Sequence, residues 1–166
     1  MARVLLRAPR AGDGVALAGI WLEGAAGFVQ LDPTLFQVPL RRAWRTGSRC
    51  ALAGDPDTFM QVAEDEGEVI GHVWAALRLG DGDAGREMIR DASLLRLTVH
   101  WLGVAATHRR RGVASRLLQS ADTWGIAQDA RAAGFSAFIG ASTAISFYEQ
   151  RMGYRRQAVH LHKPLS

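Results

Sequence analysis

Cysteine is all but absent: Cys50 is the only one in 166 residues. A single thiol excludes an internal disulfide and a cysteine-built zinc site, and the expectation is a reducing, cytoplasmic compartment. No apolar run reads as long enough to cross a bilayer. The apolar start of the chain is broken by Arg7 and Pro9 before it reaches the length of a secretory signal. A soluble protein with no membrane partner is therefore expected. No Pro- or Ser-rich linker, internal repeat or low-complexity tract divides the sequence, and residues 1–166 suit a single domain with its own core. Lysine is as scarce as cysteine. Lys163 is the only one, so the formal charge of +4 and the pI of about 10.2 are made by arginine. Such a charge favours polyanions of any kind and does not choose among them.

What is present is concentrated in Val104 to Leu118, VAATHRRRGVASRLL. An apolar strand ends here and an arginine-rich turn follows. Gly112 then opens a run in which Val113, Ala114, Leu117, Leu118 and Ala121 recur at helical spacing. The first turn of a helix leaves backbone N–H groups without partners and carries partial positive charge, so strand, turn and helix read together as an anion-binding unit. Gly112 and Ala114 add no bulk that would keep a ligand from the backbone.

Around this unit the pattern predicts alternating elements. Arg3–Ala8 reads as a first strand and Pro9 ends it. A first helix starts after Asp13, as N-cap, and runs through Trp21 and Leu22; Gly24 to Asp32 reads as a loop. A second helix is expected from Asp32, with Pro33 in its first turn and Pro39 as its kink or end. Asp57–Ala63 and Glu68–Leu79 form a hairpin, and Gly71 marks a bulge or a close backbone approach. In the fourth strand, Ala92–Ala105, Leu95, Leu97, Val99 and Trp101 share the core face, and Arg96, Thr98 and His100 the other. The helix after the loop is expected to reach Ala133 and stop at Gly134. A fifth strand follows at Phe135–Ile139, then a last helix capped by Ser142 and stopped by Gly153, and Tyr154–His162 closes the sheet.

Arg109-x-x-Gly112-x-Ala114, preceded by Val104 at a strand end, resembles the pyrophosphate-binding motif of the GCN5-related N-acetyltransferases. About thirty residues on, Ala144-Ile-Ser-Phe147-Tyr148-Glu-Gln-Arg-Met-Gly153-Tyr154 resembles the late helix of the same family. The resemblance implies a mixed α/β domain. Its central sheet is mostly antiparallel with splayed parallel fourth and fifth strands, and about four helices flank it. It also implies acetyl-CoA as donor, a primary amine as acceptor, no metal, and an occasional homodimer.

By the same resemblance the pantetheine arm pairs with the strand edge at Leu102, Val104 and Ala106. The pyrophosphate sits on Arg109, Arg110, Arg111, Gly112, Val113 and Ala114, and Phe28, Leu35, Phe36 and Trp44 wall the acceptor. Tyr148 is placed to protonate the departing thiolate. His100 stands where some members carry a base, and an imidazole titrating near pH ~6.5 accepts a proton at neutral pH. A structural histidine, with ordered water as base, is the competing reading. Ala141 replaces an asparagine that in the family often bonds the pantetheine arm, which keeps open a non-catalytic module that binds acetyl-CoA as a sensor. An arginine-rich nucleic-acid binder is the third reading, without any recognisable groove or single-strand motif. His160 and His162 share a strand face but lack a third ligand, Cys50 lacks a basic partner, and Glu87 and Asp91 could assist an amine.

Overall fold

The computed structural model describes residues 4–39, 55–80, 93–159 and 161. They fall in two compact units, Met1–Ser136 and Ala137–Ser166. The first holds a five-stranded sheet of spatial order β1-β2-β3-β4-β5, with β1 at Leu5–Arg7, β2 at Thr58–Asp65, β3 at Glu68–Arg78, β4 at Arg96–Val104 and β5 at Ala132–Gly134. Two helices belong to it, α1 (Gly14–Leu31) and α2 (Val113–Ala127), and a 3-10 turn at Ala106–His108 links β4 to α2. The second unit contains α3 (Ser142–Met152). The first four strands pair antiparallel and β5 runs parallel to β4. This is the mixed α/β class expected, with three α-helices rather than about four among the described residues.

Alternation along β2 shows how the helices cover the sheet. Met60 and Val62 join Leu17 and Ile20 of α1 in one apolar cluster. Phe59 and Gln61 point the other way: the Phe59 ring stacks on Trp124 of α2 at 5.3 Å, and Gln61 accepts from the Ser120 hydroxyl. Alternate residues of a strand face opposite sides, so α1 and α2 sandwich the sheet. Leu97, Leu117, Leu118, Val62 and Val73 are at most 1 % exposed between the layers. The hairpin turn is Glu66-Gly67, with φ of 50° and 86°, the doubly left-handed geometry that suits the twist of paired strands.

Several boundaries differ from the sequence expectation, each for a local reason. α1 does not stop near Leu22 but continues to Leu31, through the stretch expected as a loop. Gly24 costs helix propensity of about 1 kcal/mol, yet a β-carbon there would meet Trp101 at 3.0 Å, so packing on the sheet requires the missing side chain. The continuous α1 has 18 residues and a hydropathy of 1.4. By length and composition it could span a bilayer, which corrects the expectation that no such run exists; here Leu17 and Ile20 bury against the sheet. The second helix expected from Asp32 is a single turn. The Asp32 carboxylate accepts from the N–H groups of Thr34 and Leu35 at 3.0 and 3.1 Å, the local bonding by which aspartate competes with helix. α2 ends at Ala127 rather than Ala133, because Asp129 takes a left-handed φ of 63° and the chain turns back, Ala130 N–H to Gly125 O. The fifth strand therefore lies at Ala132–Gly134, before Phe135–Ile139. Residues 154–159 carry no strand, and α3 is flanked by Ala141, one residue before the expected cap.

Asp13 flanks α1 but does not cap it with its side chain. Its carboxylate grips the Arg7 guanidinium at 2.8 and 3.0 Å and accepts from Arg10 N–H at 2.6 Å, while Arg7 Nε reaches Glu64 on β2 at 2.6 Å. The Arg7 and Asp13 side chains are each 10 % exposed. The Arg7 hydrogen bond holds Asp13 below the usual carboxylate range, against the opposing effect of burial. A carboxyl depressed in the folded state contributes stability above its unfolded pKa and loses it as pH falls through the folded value. Asp13→Asn is therefore expected to cost about 3 kcal/mol at pH 7 in urea unfolding. It should also flatten the loss of stability below pH ~4; an unchanged acid limb would mean that the pair is not felt.

Candidate active site

The end of β4 is shaped by a bulge. Trp74 pairs with Trp101 and Ala75 with Val99, so His100 has no opposite residue on β3. Before the bulge Leu97 faces α2, lying where a β-carbon on Gly125 would meet it at 3.0 Å. After it the faces exchange: Trp101 lies against Gly24 of α1 and across Gly103, next to Ile20. Trp101 therefore leaves the stripe of Leu97 and Val99 to which plain alternation assigns it, because one extra residue re-aims everything beyond. His100 and Trp101 sit together on the α1 side. The His100 ring stacks on Trp74 at 4.4 Å and 27°, and Trp101 lies 6.3 Å from the fully buried His72 and 6.4 Å from Trp21. His100 Nε2 is shielded from solvent.

β5 accompanies β4 only over Arg96–Thr98. β5 ends at Gly134, so beyond Thr98 that edge of β4 has no paired strand among the described residues. Ala105 N–H donates to Ile70 O on β3, while Val104 O accepts from Arg109 Nε at 3.0 Å. Val104 thus turns its backbone groups away from β3, and the two-residue alternation turns those of Leu102 the same way. Ala106 N–H is taken by Glu23 Oε2 of α1 at 2.9 Å. Gly71 confirms the close approach expected of it: a β-carbon there would lie 2.9 Å from Gly103 O, and the neighbouring bulge falls at Ile70, which the pairing of Ala63 with Gly71 and Glu64 with Val69 skips.

After the 3-10 turn the chain passes through two left-handed residues, Arg110 at φ 63° and Gly112 at φ 81°. Left-handed kinks let successive backbone amides converge on one concavity, the geometry that suits an anion. The first helical bond of α2 is Arg116 N–H to Gly112 O. The N–H groups of Val113, Ala114 and Ser115 stand ahead of it, at the positive end of a 15-residue helix with no side-chain cap. A β-carbon on Gly112 would meet nothing within 4 Å, so the turn is open to a ligand. The first unit thus brings together Leu102, Val104, Ala106 and Arg109 to Ala114. All three arginines are exposed, and Arg109 is the one whose Nε turns back onto Val104 O, so its guanidinium shapes the turn.

Of the acceptor-wall residues, Phe28 on α1 packs on Phe36 at 5.0 Å, Leu35 is 53 % exposed, and Trp44 lies outside the described residues, as do Cys50, Glu87, Asp91, His160 and His162. Tyr148 belongs to the second unit. On α3 it meets Phe147 at 5.0 Å and Tyr154 at 6.1 Å, and its carbonyl accepts from the N–H of Gly153, whose φ of 75° closes the helix. Burial raises the Tyr148 hydroxyl above a tyrosine's ordinary value. Sequence reasoning missed Glu23. Its signal was a single charge in an otherwise uncharged helix, which becomes legible only when α1 is known to run past Leu22.

The profile of the acetyltransferase (GNAT) family matches residues 24–154, the span from α1 to the end of α3. The chain belongs to the GNAT family. Solved structures agree on the fold. A variant of the BH1408 protein from Bacillus halodurans superposes with a TM-score of 0.81 at 16% identity, over 98% of this chain and 99% of that one. An aminoglycoside acetyltransferase from an uncultured soil metagenomic sample gives 0.64 at 19% identity, over 100% and 99%. A second such enzyme, in complex with trehalose, gives 0.65 at 15% identity, over 98% and 97%. No curated protein matches the sequence. Among the described residues no cluster of His, Cys, Asp and Glu is placed to hold a metal ion.

Proposed function

We propose that this GNAT protein transfers an acetyl group from acetyl-CoA to a primary amine by direct attack in a ternary complex. One observation carries the reading: the amides at the start of α2 follow the left-handed Arg109–Ala114 turn at the end of a β4 edge that no strand pairs beyond Thr98 among the described residues. The donor's diphosphate fits that site by charge and its amide-bearing arm fits the edge at Leu102 and Val104, as in any strand addition. Once bound, the donor supplies an activated acyl group.

The chain's own residues have three tasks. The loop and edge hold the donor, the α1 side of β4 receives the amine beside Trp101, where His100 or an ordered water takes the proton the nitrogen loses on attack, and Tyr148 gives a proton to the leaving sulfur. A tyrosine hydroxyl carries its proton at neutral pH and so has one to give. The soil enzymes act on aminoglycosides, which is compatible with an amine acceptor and leaves its identity open.

The first test is thermal unfolding with acetyl-CoA, with ATP as polyanion control. At about a hundred times its dissociation constant the donor should add about 2.7 kcal/mol, a rise of roughly 5–10 °C for a domain of this size. An equal rise with ATP would reduce the site to a generic anion site. With an amine found by screening, Tyr148→Phe is expected to lose turnover by about a hundredfold or more while keeping the acetyl-CoA shift. His100→Ala should lose less. Full activity in both variants would remove these two residues from the chemistry, and binding without any turnover would make the protein a sensor.

A further inference from the structure

Three elements meet at one carboxylate. Glu23 is the only charged residue of α1. Its Oε2 accepts the Ala106 N–H at 2.9 Å and stands 3.9 Å from the Arg109 guanidinium, whose Nε donates to Val104 O at 3.0 Å. We propose that Glu23 is a positioning residue for the donor loop, pinning the exit of β4 to α1 so that Arg109 lies back along Val104 O and the amides of the Arg110–Ala114 segment stay open to the diphosphate. The inference rests on the acetyl-CoA reading above.

The physical need for such a pin is visible in the loop. Arg110 and Gly112 both hold left-handed backbone, which persists at a non-glycine residue only where the surroundings over-determine it. Arg109, Arg110 and Arg111 are adjacent in the chain, and their mutual repulsion favours swinging outward unless one is tied back. Between the two Glu23 contacts, the backbone bond decides. The ion pair is long and its side chains are 51 % and 47 % exposed, so solvent screens it heavily. The N–H bond to a carboxylate is charge-assisted and fixes a main-chain atom. An amide oxygen can accept the same bond, so glutamine should substitute and alanine should not. Alanine is also the better helix former, so the fold has no reason to suffer.

The test is calorimetric titration of acetyl-CoA into wild type, Glu23→Gln and Glu23→Ala, together with NMR-detected exchange of the Ala106 amide in each unliganded protein. Glu23→Ala is expected to weaken acetyl-CoA binding about tenfold, and Glu23→Gln by less than about threefold, with melting temperatures within about 2 °C of wild type. The Ala106 amide should be protected in wild type and Glu23→Gln and exchange faster in Glu23→Ala. Binding by Glu23→Ala as tight as wild type or tighter overturns the proposal, since it would mean that the carboxylate competes with the pantetheine arm for Ala106. A Glu23→Gln variant as weak as Glu23→Ala overturns it too. If wild type binds no acetyl-CoA, the donor reading falls, while slower Ala106 exchange in wild type than in Glu23→Ala still supports the pin and equal exchange removes it.

Discussion

Gly112→Val is expected to lower acetyl-CoA affinity by tenfold to a hundredfold while leaving the fold intact. Gly112 has φ 81°, and a β-carbon there would touch nothing within 4 Å. The cost is therefore conformational rather than steric. A β-branched residue in left-handed backbone is strained by about 1–3 kcal/mol. The turn either stores that strain or relaxes toward negative φ, and relaxing it rotates the amides that precede Arg116. Because 1.4 kcal/mol is a factor of about ten in affinity, even partial relaxation is measurable. Asparagine tolerates left-handed backbone better than valine, so affinities by titration should rank Gly, then Asn, then Val. Equal affinities would show that the left-handed turn is not what receives the diphosphate. The same strain at a donor-free site would appear only as a small loss of stability.

Gly71→Val is expected to have the largest effect on the fold, about 3 kcal/mol in urea unfolding and roughly 6–12 °C in melting temperature. A β-carbon at Gly71 would lie 2.9 Å from Gly103 O and 3.3 Å from both Leu117 Cδ1 and Val104 Cγ2. The first obstacle is backbone of the paired strand, which cannot swing aside, and the others are buried core. β3 and β4 must separate or twist, at the point where β4 leads into the donor loop. Gly103→Ala is the contrast. Its β-carbon would come closer still, 2.7 Å from Trp101 Nε1 and 3.0 Å from Ile20 Cγ2, but those are side-chain atoms that can move. Gly103→Ala should therefore cost less than Gly71→Val. The reverse order would mean that the packing of Trp101 between α1 and β4, rather than strand contact, limits stability.

Glycines show where sequence reading succeeded and where it failed. Gly112 and Gly153 carried local meaning, a helix start and a helix stop each specified within a few residues, and Gly71 marked a close backbone approach whose partner, Gly103, lies on the next strand; each is found. Gly24 misled, as the opening of a loop. It lies inside α1 because Trp101 needs the room, and that partner is 77 residues away in the sequence. Propensity is a cost of about 1 kcal/mol that a well-packed contact offsets. The same limit explains β4, where alternation is correct through Val99 and fails at Trp101 because a bulge depends on the register of the opposing strand.

The sequence by itself determined the class of fold, the hairpin, the arginine turn opening into α2 and the family resemblance on two motifs. All of these rest on residues that are neighbours along the chain, so their spacing carries the information. Only the tertiary structure decided that α1 runs unbroken to Leu31, that the fifth strand is Ala132–Gly134, that His100 and Trp101 share the α1 side, and that Glu23 reaches Ala106 across 83 positions. These arrangements join residues brought together by packing, and no periodicity or short motif records a contact whose partners fold in from opposite ends of a unit.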